Sequence, residues 1–296
     1  MGRFGKVGIA IAFIAICVWT LFPLFWAVNI SLQSEPEIKT APPYYLAPNP
    51  TLKNYDFVIN AKKAIEERLK TFGIKGEFLP AITVQYPSAI VNSIVVGVVA
   101  MVFNMLAALL ASYVFTRVRF KGSGPLFYIS VMGRLIPPVA IAVPYYIIMF
   151  NAHLLDTLQA VILIHIYFTL PINIWILNTY FGSLPEDVED AARVDGYSRF
   201  ETLFKFVLPM IRPAVISVGI IALMFSWGEF FFTLLVTATE ASRTLPVVVG
   251  FMSAQPLKPM GIISAAGVLA MIPPLILVAI FRRYLIRGLV AGAVKA

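Results

Sequence analysis

Ser183-Leu184-Pro185-Glu186-Asp187-Val188-Glu189-Asp190-Ala191-Ala192-Arg193-Val194-Asp195-Gly196-Tyr197-Ser198-Arg199-Phe200-Glu201-Thr202-Leu203-Phe204-Lys205-Phe206-Val207-Leu208-Pro209 is a polar island in a strongly apolar chain. Together with Arg212 it carries ten charged side chains. It also carries helix signals of its own. Pro185 suits a first helical turn, where its missing N–H costs nothing. Glu186, Asp187, Glu189 and Asp190 lie near that N-terminus, where the helix dipole favours carboxylates. Asp195-Gly196 stops the helix, because glycine accepts the left-handed conformation that ends helices. Ser198 and Glu201 stand at capping-box spacing and start a second helix. Its apolar side is Phe200, Leu203, Phe204, Val207 and Leu208, and it is expected to end before Pro209. Ala191 and Ala192 offer a smooth surface that another backbone can approach closely. The pattern reads as helix, sharp turn, helix, a device for docking a protein. A loop resting on lipid needs only the second helix, and an anionic leaflet repels the acidic first one.

On either side of this loop the chain belongs in lipid. It is 59% hydrophobic and 13% charged, with a mean hydropathy of +0.86, whereas a soluble domain carries about 25% charged residues. Six apolar runs approach or exceed the roughly 20 residues that cross a bilayer: Val7–Ile30, Ala89–Phe115, Pro125–Phe150, Leu158–Phe181, Pro213–Thr237 and Gly261–Tyr284. The first is too long for a signal-peptide core and has no small-residue cleavage site after it, so it is read as a retained span. Arg and Lys set the orientation. Arg3 and Lys6 precede span one; Arg117, Arg119 and Lys121 follow span two; Arg193, Arg199, Lys205 and Arg212 follow span four; Arg282, Arg283, Arg287 and Lys295 follow span six. The alternate loops hold only Arg243 and Lys258, apart from the long loop after span one. Both termini are therefore expected in the cytoplasm. The net charge of +8 expresses this bias, and no dense basic face on a soluble domain exists for nucleic acid. Cys17 reads as a buried structural thiol, and the widely separated His153 and His165 give no metal set. For His165, a bond within the bundle and a place on the pore both remain open.

The residues fall into a first span (1–30), a loop over the outer surface (31–87), a membrane domain (88–283) containing the cytoplasmic loop 182–212, and a cytoplasmic tail (284–296). In the outer loop Pro36, Pro42, Pro43, Pro48 and Pro50 predict an extended path. A short charged helix is expected over Asn60–Lys70, ended by Gly73 and Gly76. A solvated cap and a contact surface for an external partner are both open readings of this loop.

Asp190-Ala191-Ala192-x-x-Asp195-Gly196, followed after nine residues by Phe206-x-Leu208-Pro209, resembles the EAA loop of ABC importer permeases. Asp190 stands where that family usually has Glu, with Glu189 able to serve one residue earlier, and Phe206 where it usually has Ile. Further matches are Met132–Pro138, Pro144-Tyr145, Leu155-Asp156-Thr157, Thr244-Leu245-Pro246 and the ending from Arg283 to Lys295. Trp227-Gly228-Glu229-Phe230 is similar to the W-N-E-F segment of carbohydrate-type members, with Gly228 replacing Asn. The resemblance implies an all-α polytopic membrane protein of six transmembrane helices with the type I importer fold, in the cell inner membrane. It implies two cytosolic ABC ATPases carrying ATP and Mg, a second homologous permease, an extracytoplasmic binding protein and a sugar or sugar derivative as cargo. Glu189, Asp190, Ala191, Ala192, Asp195 and Gly196 are the residues it assigns to ATPase coupling.

Two formally charged residues lie inside the spans, Arg134 and Glu229, where charge is expensive and faces a bundle interior or a watery path. At about 1.5 Å per residue they differ in depth by about 10 Å. With Tyr145, Asn173, Trp227 and Phe230 they are the candidates for the substrate path; a purely anchoring role for the two charges stays open. Pro137, Pro138, Pro144 and Pro171 interrupt backbone bonding, as happens where spans bend or line a cavity. The chain has no G-x-x-x-x-G-K-[ST], H-E-x-x-H or G-x-S-x-G, so no catalytic residue, cofactor or metal site is assigned to it. The competing reading is an ion-coupled secondary transporter of a small polar solute, running on Arg134 and Glu229. It leaves the helix-turn-helix loop without a purpose.

Overall fold

The computed structural model describes residues 3–63, 81–118, 120–254 and 259–293. Among them the regular structure is helical throughout, with no strand. Five helices are long and apolar enough to cross a membrane: Val7–Ser31, Ile82–Val118, Leu158–Ser183, Arg199–Gly228 and Met260–Tyr284. They cover five of the six apolar runs.

The remaining run is broken. Ser123–Leu135 and Pro138–Asn151 meet at a bend of 97°. Ile136 (φ −66°, ψ 126°) and Pro137 (φ −56°, ψ 132°) are extended, because each precedes a proline that crowds it out of the helical region. Pro138 then opens the next helix, where no N–H is required. Counted as one span, the pair brings the total to six.

The fifth run departs from its expected continuity in two places. Its start is merged with the second helix of the polar loop: Arg199–Thr202, a wide turn Leu203–Val207 and Leu208–Gly228 follow one another without a stop. The amide of Leu208 donates five residues back, to the carbonyl of Leu203. Pro209 therefore sits in the first turn after a widened coil, where it can be accommodated, and does not end the helix. At the other end the helix stops at Glu229 (ψ 125°) and restarts as Phe231–Val236. No proline marks this break. The carboxylate of Glu229 makes it tenable, accepting from the amides of Phe232 (2.8 Å) and Thr233 (3.0 Å), donors that a helix start otherwise leaves unmet.

The chain forms two compact units. The first comprises residues 1–87 and 247–272. Its leading helix keeps its apolar side chains exposed, Trp19 at 84%, as a lipid-facing span requires. The proline-rich stretch is mostly turns, with one helical turn at Glu35–Ile38 and a further helix at Lys53–Ile59. Asn54 ties these down by donating to the carbonyls of Ser31 (2.9 Å) and Gln33 (2.8 Å). Of the helix expected over Asn60–Lys70, residues from 64 onward lie outside the described residues.

The second unit comprises residues 88–246 and 273–296. Its main core packs Ala108, Leu109 and Tyr113 against Ile174, Leu177 and Phe181, and both against Leu203, Val207 and Ile211. Gly97 lets two helices approach, since a Cβ there would lie 2.7 Å from Leu223 Cδ1. At the far end from the polar loop, Asp156 adopts φ +59°. Its carboxylate accepts from the amides of Ala238 (2.8 Å) and Thr239 (2.9 Å) and from the hydroxyls of Thr239 (2.7 Å) and Ser242. Burial pushes this carboxyl upward, but the Ser242 hydroxyl and the other donors outweigh it and hold it at about 2. The clamp fixes the turn after Pro138–Asn151 to the segment after Phe231–Val236.

Candidate functional site

Apart from Pro185, which precedes the N-cap Glu186 and is not in the first turn, and Pro209, which does not end the second helix, the polar loop folds as its local signals dictate. Its first helix is Asp187–Val194. Gly196 takes φ +87°, the amide of Tyr197 reaches back to the carbonyl of Ala192 (3.0 Å) and that of Gly196 to Arg193 (3.1 Å). These are the two bonds of a Schellman stop. Ser198 then closes a capping box with Glu201: its amide (3.1 Å) and hydroxyl (2.8 Å) donate to Glu201 Oε2, and its Oγ accepts from the Glu201 amide (3.3 Å). One helix ends and the next begins within four residues, which leaves little room for slack.

The two faces of Asp187–Val194 differ. Glu189 and Ala192 are buried, whereas Asp187, Asp190, Ala191 and Val194 are exposed at i, i+3, i+4 and i+7. Val194 is 88% exposed. Glu189 turns inward: its Oε1 accepts from Arg117 Nε at 2.7 Å and its Oε2 from the Tyr113 hydroxyl at 3.0 Å. Arg117 also donates to the carbonyl of Leu184 (2.9 Å) and lies 3.4 Å from Glu186. Asp190, at the position of the family's Glu, is exposed and paired with Arg193. Of the six residues assigned to coupling, Glu189 and Ala192 therefore face their own chain, and Asp190, Ala191, Asp195 and Gly196 face outward. Arg117 appeared in the sequence only as part of the charge bias. No local rule connects it to a carboxylate 72 residues away.

Within the spans a cavity of about 440 Å³ opens beside the 97° bend. Arg134 and Glu229 both line it, with Pro138, His165, Phe168 and Phe225 among the other walls. The His165 ring is buried: Nδ1 lies 2.6 Å from Ser226 Oγ, and Nε2 lies 3.3 Å from both Glu229 Oε2 and Thr233 Oγ1. A neutral ring donating from Nε2 to the carboxylate accepts the Ser226 hydroxyl at Nδ1. The Thr233 hydroxyl donates to Glu229 at 2.7 Å. Arg134 stands over the rings of Phe168 (5.3 Å) and Phe225 (5.8 Å).

The other four path candidates do not line this cavity. Tyr145 donates to the carbonyl of Ala160 and packs edge-on to Phe232. Asn173 is buried and donates to Asn104 (2.5 Å). Trp227 is half-buried and Phe230 exposed. Residues that sequence reasoning missed or left undecided are His165, Phe168, Thr169 and Ile172, which stand at i, i+3, i+4 and i+7 on one helix. A polar residue opening an aromatic face at helical spacing was the available signal. Among the described residues no three His, Cys, Asp or Glu side chains are grouped to hold a metal.

Residues 104–290 match the model of the binding-protein-dependent transport system inner membrane component family. The trehalose/maltose transport system permease protein of Thermococcus litoralis is 30% identical, over 98% of this chain and 97% of its own length. The sulfoquinovosyl glycerol transport system permease protein of Agrobacterium fabrum is 31% identical, over 93% of this chain and 89% of its own. A chain of the bacterial ABC transporter involved in import of the acidic polysaccharide alginate superposes with a TM-score of 0.74 at 18% identity, covering 96% of this chain and 98% of that one. Helices of membrane-crossing length, a family match across most of the second unit and relatives that run the length of the chain converge. The protein belongs to the binding-protein-dependent transport system inner membrane components, as a multi-pass permease subunit of an ABC importer.

Proposed function

We propose that this subunit lines the path of a sugar or sugar derivative, delivered by an extracytoplasmic binding protein, and that ATP hydrolysed on two partner ATPases drives it through the polar loop. A second, homologous permease completes the path. The chain crosses the membrane six times, counting the bent pair once, and both termini lie in the cytoplasm with the loop 182–212. Residues 31–87 lie outside and 284–296 form the cytoplasmic tail. The sugar class draws support from relatives named for trehalose, maltose and sulfoquinovosyl glycerol.

The observation that carries the coupling role is the outward face Asp187, Asp190, Ala191 and Val194 on a helix locked at both ends. A bare valine and alanine between carboxylates, on a helix held from behind by Arg117, match a protein groove better than water or an anionic lipid surface. Small movements of an ATPase pair are transmitted to the spans through Glu189 and the core that holds Leu203 and Val207.

The test uses the complete importer in proteoliposomes. Ala191→Asp, Val194→Asp and Gly196→Pro are each expected to lower ATP-driven uptake at least about tenfold, the first two by placing charge in a small docking centre and the third by breaking the stop that fixes the helix. Unchanged uptake in all three overturns the coupling role. Uptake that continues without ATP and collapses with an ion gradient overturns the ATP-driven reading.

A further inference from the structure

We infer that the intramembrane cavity selects a cargo bearing an anionic group, such as a uronate, and that Arg134 is the residue that receives it. This rests on the cavity being part of the sugar path proposed above.

The charges lining the cavity are not equivalent. Glu229 is fully engaged. Its Oε1 accepts from the Phe232 amide, and its Oε2 accepts from the Thr233 amide and hydroxyl and faces His165 Nε2. A carboxylate so occupied holds the helix restart in place and has little capacity left for a ligand. Arg134 is the opposite case. Among the described residues it makes no hydrogen bond or ion pair; its contacts are the faces of Phe168 and Phe225. No ion pair joins it to Glu229. The guanidinium lies within cation–π distance of both rings, and its fork of N–H donors has the geometry that matches a carboxylate. Cation–π contact steadies it without neutralising it.

The surroundings fix the rest of the ligand's chemistry. Phe168, Phe225, Phe231 and Phe232 give the cavity apolar walls suited to the C–H faces of a pyranose. The volume of about 440 Å³ falls within the roughly 300–1,000 Å³ of small-molecule sites. One unpaired cation, a saturated anion and aromatic walls together describe a site for a small sugar with one negative charge. A neutral sugar offers the exposed guanidinium no charged partner, whereas a carboxylate gives it a charge-assisted pair.

The test measures equilibrium binding to the complete importer in nanodiscs, without ATP or binding protein, so that the cavity alone sets the preference. The probes are cellobiose and its uronate counterpart, cellobiouronic acid, which differ by a single carboxylate. The uronate is expected to bind about tenfold more tightly or better, and the margin shrinks as salt rises. Arg134→Gln is expected to level the two affinities and Arg134→Lys to retain part of the preference. Equal binding by the unaltered importer overturns the inference without any variant, as does a uronate preference that survives Arg134→Gln. If ATP drives uptake of neither probe nor any other sugar, the sugar-path reading itself falls and takes this one with it. Equal binding alongside ATP-driven uptake sinks only the anionic selectivity.

Discussion

Arg117 Nε and Glu189 Oε1 lie 2.7 Å apart, both side chains at least nine-tenths buried, and join the end of one long helix to the back of the loop helix. Buried pairs of this sort add little net stability over an apolar replacement, but removing one partner strands the other. Arg117→Ala is therefore expected to destabilise the loop by about 3–5 kcal/mol. Its readout is a lower thermal midpoint with faster amide exchange over 187–194. Combining Arg117→Leu with Glu189→Leu recovers much of the midpoint; a single variant with unchanged exchange would mean the pair holds nothing.

Gly196 has open space around its Cα and a φ of +87°, so a side chain there meets strain and no clash. Gly196→Ala is expected to cost about 1–2 kcal/mol, and Gly196→Asn less, because asparagine tolerates the left-handed region. Amide exchange of Tyr197, whose N–H closes the stop, ranks the three residues.

Asp156 supplies a pH dependence with a defined sign. Its folded value of about 2 lies below the ordinary aspartate value of about 3.9. Its stabilising contribution is therefore complete above about pH 4 and is lost as pH falls through about 2. From about pH 8 down to about 5 the clamp is expected to be indifferent to acid. Asp156→Asn, lacking the charge that four donors address, is expected to lose about 1.5–3 kcal/mol at neutral pH. Thermal unfolding of both proteins from about pH 3 to about 8 shows whether the gap narrows at the acid end.

Glu229 is placed here as the support of a helix restart. Glu229→Ala is expected to weaken Phe231–Val236 by about 0.5–2 kcal/mol, the usual loss for a helix cap. Amide exchange at Phe232 and Thr233 rises accordingly. If exchange there is unaltered, the carboxylate is not what secures the break.

The loop was legible because its signals are short-range: Asp195-Gly196 and Ser198/Glu201 each act within a turn or so of their own position, and Pro185 misses its expected place in the first turn by standing just before the N-cap Glu186. The bend in the third run was legible for the same reason, since Pro137 and Pro138 act on their own backbone. The interruption at Glu229 was not. The run reads as one apolar helix with a stray charge, and the residues that give that charge a purpose include His165, 64 positions away on another helix. Arg117 and Glu189 were both visible, but their pairing depends on a widened coil at Val114–Val118 and on helix packing. Tyr145 and Asn173 stand outside the cavity's lining for an equally long-range reason: packing turns them toward Ala160 and Asn104.

Fastening the loop helix at both ends has a mechanical corollary. Eight residues make a strut about 12 Å long, pinned by a guanidinium near its start and blocked by a glycine at its finish. Such a piece has no give of its own. Compliance falls to the loosened coils Val114–Val118, which carries Arg117, and Leu203–Val207, where backbone bonds reach one residue farther than in an ordinary helix. A push on the strut is taken up first in those coils, so the long helices joined to them receive tilt instead of bending.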